Sequence, residues 1–113
     1  MKFFIFLVCF LILPVTAQTF LPGTDDIPQM AALQNVEETA SFDNPAERMV
    51  LVGAETALSS KKVLQFYKET LTNLGWVEKG MGKFERGTDS FSIEITPNGK
   101  LNQIQFRLSQ RNP

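Results

Sequence analysis

The run in this chain that most resembles a catalytic motif is Ser59-Ser60-Lys61-Lys62. A serine three residues before a lysine has the spacing of an acyl-transfer nucleophile and the lysine that activates it. Such a serine also needs an oxyanion hole and a substrate cleft, and the chain lacks the partner motifs that accompany this spacing in serine acyl-enzymes. The same letters are typical of a helix start, in which Ser59 caps free backbone N–H groups. We therefore interpret the motif as a helix cap and expect no catalytic residue in it.

The same four residues also form a speculative anion site. Lys61 and Lys62 would occupy the first helical turn, where the helix dipole disfavours each exposed cation by about 0.3–1 kcal/mol. Together with the hydroxyls of Ser59 and Ser60 and the free N–H groups, the two lysines would suit a phosphate or a carboxylate. The alternative is a pair of solvated lysines that tolerate a small cost. The sequence leaves this choice open.

Paired carboxylates are the other residues whose spacing suggests chemistry. Neither Asp25-Asp26 nor Glu37-Glu38 lies in a loop with alternating ligands and a closing glutamate, so we expect no calcium site and no other metal site. Glu85 and Glu94 imitate the acid pair of a glycosidase. Each alternates with apolar neighbours, which is typical of the solvated face of a sheet.

The first seventeen residues have the pattern of a secretory signal peptide. Lys2 precedes the uncharged apolar run Phe3 to Leu13, and Val15-Thr16-Ala17 supplies the small residues of a cleavage site. The run is shorter than the roughly 18 apolar residues of a spanning helix, so we expect cleavage and no stable membrane span afterwards. A retained membrane anchor is the alternative. Cys9 lies inside the run and lacks the context of a lipid-attachment cysteine. The signal-peptide pattern predicts an exported protein, periplasmic or extracellular.

The remaining 96 residues, 18–113, suit one domain. They contain neither cysteine nor histidine, which removes thiol and imidazole catalysis and most transition-metal sites, so we expect no cofactor. An exported chain without disulfides must be held together by packing alone or by a partner. Residues 18–47 carry six acids and no base, whereas residues 48–113 carry ten bases and six acids. Because these bases are interleaved with acids, we expect no nucleic-acid binding.

Residues 18–46 are predicted to form a proline-containing acidic leader outside the domain. Two prolines and a glycine in "LPGTDDIPQM" disfavour a continuous helix or a central strand. Asp26 could cap a short helix that runs from Pro28 to about Val36. Three apolar residues would line one side of that helix, which could pack on the domain or serve as a speculative contact for a partner: Ile27, Met30 and Leu33.

Residues 47–113 are predicted to form an α+β domain with the order β-α-β-β-β-β. The apolar run 49–52 predicts a first strand over 47–56, covered on both faces. Apolar residues at helical spacing then predict an amphipathic helix over 60–74, which Gly75 ends in the left-handed conformation. The predicted buried face of this helix consists of Val63, Phe66, Tyr67, Thr70, Leu71 and Leu74.

After Gly75 the period of the apolar residues changes to two, which predicts four strands. The strands 76–79 and 83–86 flank a glycine turn, and the strands 90–96 and 102–109 flank a hairpin turn at 97–100. One helix on one face of a mostly antiparallel sheet is the economical packing of these elements, and it leaves the other face solvated.

Four stretches together resemble small exported bacterial cell-envelope proteins of unknown function. They are "FDNPAER" (42–48), "VLQFYKETLTNLGW" (63–76), "KFER" (83–86) and the strand pair "SFSIEIT…IQFRLS", which share a V-x-x-F-Y…L-x-x-L-G-W…F-x-R pattern. The resemblance covers most of residues 20–110 and implies an exported envelope protein. It carries no activity and no functional residues. Unlike lipoproteins with a similar sequence pattern, this chain has no cysteine at the cleavage site, which argues against a lipid anchor.

These patterns support three hypotheses of function. The first is a non-enzymatic cell-envelope module that binds a protein partner or assists an assembly, through the leader residues, the strand edges or the helix start. The alternative is a small carrier that holds an apolar or anionic ligand between helix and sheet. An enzyme is the third, since acid–base work would fall to carboxylates, lysines or Tyr67 without a recognisable constellation.

Trp76 follows the predicted helix stop directly and is expected to anchor the core. Replacing it in the variant Trp76→Ala should lower the free energy of unfolding by about 3–5 kcal/mol, because a large buried side chain leaves a cavity. Chemical denaturation measures this change. A midpoint that barely moves would place the indole at the surface instead.

Overall fold

A computed structural model describes residues 19–111. Outside the described residues lie the predicted signal peptide 1–17, which includes Cys9, and Gln18, the N-terminus predicted after cleavage. Within that range the chain folds as one α+β domain of one helix and a six-stranded antiparallel sheet. The sheet order is β1-β2-β6-β5-β4-β3. The elements are β1 (Gln34–Asp43), β2 (Glu47–Thr56), α1 (Ser60–Asn73), β3 (Val77–Gly80), β4 (Lys83–Arg86), β5 (Asp89–Asn98) and β6 (Leu101–Arg111).

The predicted order β-α-β-β-β-β lacks one strand, β1, which lies in the segment predicted to be a leader. β1 pairs antiparallel with β2, so residues 34–43 belong to the domain and the predicted boundary between 46 and 47 is wrong. β1 was missed because it is an edge strand in which only Val36 is even partly buried, and it therefore shows no apolar alternation. Two register shifts and the left-handed conformation of Asn35 (φ 52°) interrupt it further.

Residues 19–33, named here the N-terminal strap, precede β1 and contain no helix. The strap folds back on itself through two backbone hydrogen bonds. The N–H of Leu21 donates to the carbonyl of Ile27 (2.8 Å), and the N–H of Gln29 donates to the carbonyl of Thr19 (2.8 Å). These bonds close a compact loop over residues 19–29. The short helix predicted from Pro28 to about Val36 does not form, because residues 28–33 lack helical structure and residues 34–36 belong to β1.

The apolar residues of the strap complete the hydrophobic core. Leu21 and Ile27 are fully buried, Leu33 is nearly so, and Met30 packs partly against the same cluster. The expectation that Ile27, Met30 and Leu33 offer a free side to a partner is therefore corrected. Burying a large aliphatic side chain stabilises the fold by about 1.5–3 kcal/mol, so these residues stay in the core once the turns bring them to it.

The hydroxyl of Tyr67 ties the strap to the helix. Its oxygen donates to the carbonyl of Pro28 (2.8 Å) and accepts a hydrogen bond from the N–H of Met30 (3.3 Å). The ring is fully buried and lies 6.3 Å from that of Phe91 and 5.3 Å from that of Phe106, centroid to centroid. Burial raises the pKa of Tyr67, against the lowering effect of the Met30 hydrogen bond, because a buried phenolate would lose its hydration. The hydroxyl therefore keeps the proton that it donates.

The helix α1 forms close to where the sequence predicted it. It ends at Asn73, and Gly75 adopts the left-handed conformation (φ 94°) expected of the stop. The side chains of its predicted face that are fully buried are Val63, Tyr67 and Leu71, while Phe66 and Thr70 are half-buried. Leu74 is the exception and stays 40% exposed, because it is the cap residue and has left the helical geometry on which the prediction depended.

Side chains of the sheet alternate between the helix side and the opposite side. The prediction for the last hairpin is confirmed, since Phe91, Ile93, Ile104, Phe106 and Leu108 are buried. The prediction for β2 is only half right. Its buried side chains are every second residue, Val50, Val52, Ala54 and Thr56, and the residues between them are only partly buried. The strand is therefore fully covered on one side alone.

Trp76 lies in the core, as predicted, with 2% of its surface exposed. Its ring packs 6.2 Å from that of Phe91, and the guanidinium of Arg86 lies 4.5 Å from the ring centroid. Arg86 also donates to the carbonyl of Leu74 (3.1 Å) and pairs with the carboxylate of Asp26 (3.0 Å). One side chain thus joins β4 to the helix end and to the strap.

The link between strap and helix leads to a prediction for the variant Tyr67→Phe. Its free energy of unfolding should fall by about 1–3 kcal/mol, because the carbonyl of Pro28 and the N–H of Met30 lose their partner. Urea denaturation measures the loss, and amide hydrogen exchange localises it to Met30. Exchange at Val52, in the middle of β2, is the internal control and should follow global stability alone. An unchanged protection of the Met30 amide would contradict the proposed link.

Candidate functional site

The face of the sheet opposite α1, named here the uncovered face, carries the polar side chains of the strands. Residues paired across neighbouring strands point to the same side, so the pairing register arranges the side chains in rows. One row contains Leu51, Arg107, Ser92 and Lys83. The next row contains Glu37, Gly53, Gln105 and Glu94. Charged groups of both signs therefore lie side by side on this face.

Two adjoining cavities of about 630 and 440 Å³ lie on the uncovered face and share Glu94 and Gln105. The larger cavity lies towards β1 and β2, and the smaller one lies over the row of Leu51 and Arg107. Both volumes fall within the range of about 300–1,000 Å³ that is usual for ligand sites, but such sites are mainly apolar and these linings are mainly polar. This face is therefore better suited to hydrogen bonding and charge than to an apolar small molecule.

The two cavities differ in charge. The charged residues that line the larger cavity are three glutamates, Glu37, Glu55 and Glu94. Within residues 19–111, no lysine or arginine forms an ion pair with them. Glu55 instead accepts a hydrogen bond from the side-chain amide of Asn35 (2.7 Å). The smaller cavity brings Lys83 and Arg107 to the other side of Glu94. The uncovered face is therefore acidic at the larger cavity and carries two basic side chains at the smaller one.

At the start of α1 the structure shows a helix cap. The hydroxyl of Ser59 accepts a hydrogen bond from the backbone N–H of Lys62 (3.3 Å), as the capping interpretation requires. The contact involves the backbone of the lysine and not its ammonium group. Ser60 and Lys61 are exposed, like the other two residues, and none of the four lines either cavity. An anion site here stays a prediction.

The acid pairs noted in the sequence form neither a metal site nor a catalytic pair among the described residues. Asp26 is engaged by Arg86, and residues 19–111 contain no group of three potential metal-ligating side chains close enough to hold an ion. Glu85 pairs with Ser90, four residues from Glu94 along β5, which is an offset of about 13 Å along the strand. Glycosidase carboxyls are about 5–9.5 Å apart, so Glu85 and Glu94 are too distant for that role.

The space between α1 and the sheet is filled by side chains. The rings of Tyr67, Phe91 and Phe106 contact one another there, and Ile27 of the strap belongs to the same cluster. Neither cavity on the uncovered face is lined by a residue of α1. The place in which the carrier hypothesis would hold its ligand is therefore occupied by the core itself.

Sequence patterns found only part of the uncovered face. Alternation along the last hairpin places Ser92, Glu94, Thr96, Gln103, Gln105 and Arg107 on the polar side, and the structure confirms it. Glu37 and Thr39 were missed with the strand that carries them, and Glu55 was missed because β2 was read as covered on both faces. The one available signal was the run 34–43, which has no proline or glycine and includes Val36, Thr39 and Phe42.

Comparisons of the chain with protein-family models, with curated proteins and with solved structures find no significant match. In the part of the chain that the structure describes, α1 is not long and apolar enough to cross a membrane. What this domain can bind is therefore inferred from the geometry and chemistry of the uncovered face.

The capping role of Ser59 is tested by a pair of alanine variants. Ser59→Ala should lower the free energy of unfolding by about 0.5–2 kcal/mol, because the N–H of Lys62 loses its acceptor. Ser60→Ala is the matched control, since its exposed hydroxyl makes no such bond, and its effect should stay within about 0.5 kcal/mol. Urea denaturation of both variants measures the difference. Equal effects would contradict the cap.

Proposed function

We propose that this protein is an exported, non-enzymatic module of the cell envelope that binds a protein partner, or assists an assembly, through the uncovered face of its sheet. The observation that carries the proposal is the pair of adjoining polar cavities on that face. Antiparallel sheets often have one solvated face, so polarity alone is not specific. The added features are the shared cavity wall at Glu94 and Gln105 and the separation of acidic and basic groups across it.

Export is supported by the pattern of residues 1–17, and the way in which the domain is stabilised is compatible with it. Residues 18–113 contain no cysteine, so no disulfide is available to hold the strap in place. The strap is held instead by buried apolar side chains, by the Tyr67 hydroxyl and by Arg86. This stabilisation does not depend on the redox state of the compartment.

A role without catalysis is supported by the fate of the candidate catalytic groups. Ser59 is used as a helix cap, the hydroxyl of Tyr67 is buried in contact with the strap, and Glu85 and Glu94 are too far apart to act together. The exposed groups that remain are amides, hydroxyls and charges spread over a sheet face. Such groups suit hydrogen bonds and charge contacts of the kind found in the polar rim of an interface.

The proposal is tested by site-specific photo-crosslinking in the native host. The full chain carries p-benzoylphenylalanine in place of Gln105, which is exposed on the uncovered face, or in place of Gln65, which is exposed on α1. Irradiation should give a discrete adduct with one protein from position 105 and none from position 65. Mass spectrometry of the same adduct should show a chain that begins at Gln18.

Three outcomes would overturn the proposal. Adducts of equal yield from positions 65 and 105 would mean that the uncovered face has no special role. The absence of any adduct from position 105 would remove the binding function. A chain that keeps residues 1–17 and stays in the cytosol would remove the exported location.

A further inference from the structure

We infer that the outer edge of β1 is a docking site for an extended, basic segment of a protein partner, which adds a seventh strand to the sheet. The inference rests on the proposed binding function and adds to it the place and the chemistry of the partner. Peptides that extend a sheet in this way gain affinity from main-chain hydrogen bonds and specificity from alternate side chains.

The outer edge of β1 is open. β1 is the first strand in the sheet order, and within residues 19–111 the only strand that pairs with it is β2. It is ten residues long, and all of its side chains except that of Val36 are exposed. The N–H and C=O groups that point away from β2 are therefore a template for another strand. The opposite edge strand, β3, has four residues, and a register shift in its pairing with β4 falls between Glu78 and Gly80.

The regular part of this edge is its second half. From Ala40 to Asp43 the pairing with β2 runs without interruption, whereas two register shifts occur between Gln34 and Ala40. Phe42, which pairs with Met49, is 56% exposed and lies in this regular part. An incoming strand thus meets straight backbone and an apolar side chain here.

The negative charge of the β1 edge favours a basic partner. β1 contains three acids and no base, and no described lysine or arginine forms an ion pair with them. The register places Glu37 on the uncovered face, with Gly53, and places Glu38 on the helix side, with Val52. Both sides of an added strand would therefore meet a carboxylate.

The same charge disfavours a second copy of this chain as the occupant. Two β1 edges paired with each other would bring glutamates together across the new ladder, and like charges directly opposite are destabilising. A segment with lysine or arginine at several positions is complementary instead. Its side chains on the uncovered face would reach Glu37 at the rim of the larger cavity, about 16 Å along the strand from Phe42.

The test uses a fluorescent ten-residue peptide of alternating threonine and lysine, titrated against the folded full-length chain and followed by anisotropy. The peptide should bind, and its affinity should fall about tenfold between about 50 and 300 mM salt. The double variant Glu37→Gln, Glu38→Gln should bind about two- to tenfold more weakly. Glu69→Gln, Glu78→Gln, which removes two exposed charges on α1 and on β3 at the opposite edge of the sheet, is the matched control and should bind as the parent does.

A second peptide separates strand addition from simple charge attraction. It has the same sequence, with every backbone nitrogen methylated so that neither of its edges can donate a hydrogen bond, and it should bind at least about tenfold more weakly. Equal binding of the two peptides, equal loss in the Glu69→Gln, Glu78→Gln control, or no binding of either peptide would overturn the inference. If the crosslink from position 105 still forms in that case, the binding function stands and only the β1 site falls.

Discussion

The hydroxyl of Tyr67 lies where helix and strap meet, and its position lets the core close. The phenol is out of reach of water and must find its partners inside the protein, since an unpaired buried hydroxyl would cost about 1–3 kcal/mol. Those partners are the carbonyl of Pro28 and the N–H of Met30, two backbone groups of a segment without regular structure. The same contact therefore satisfies the tyrosine and fixes the loop that brings Ile27 into the core.

The strap also imposes a steric condition on the chain at Gly23. This residue has φ 78°, and a β-carbon built there would lie 2.9 Å from a methyl carbon of Val50 and 3.0 Å from a carboxylate oxygen of Glu38. Only glycine combines the left-handed conformation with so close an approach at no steric cost. Arg48 donates to the carbonyl of the same glycine and to the side chain of Gln110, so the strap is fastened to the sheet at this point as well.

Under the proposed function, folding and recognition would use different faces of one sheet. Helix and strap bury one face, and the stability of the domain comes mainly from the apolar and aromatic residues there. The opposite face contributes less to stability, so packing constrains its side chains less and they can suit contact with a partner. Its polar cavities and the acidic edge strand β1 adjoin each other, because Asn35, Glu37 and Thr39 belong to both. A partner that reaches the face can therefore also reach the edge.

The elements that depend on local interactions could be predicted from the order of residues alone. The helix with its serine cap and glycine stop, the hairpin of β5 and β6, and the inward position of Trp76 all follow from periodicity and from the residues that start or end an element. The role of residues 19–43, in contrast, depends on tertiary contacts. The strand β1 is held by pairing with β2 and has no apolar period of its own, and the strap is held by contacts with residues distant in the chain. Such contacts depend on the neighbours that folding supplies, and a local pattern does not contain them.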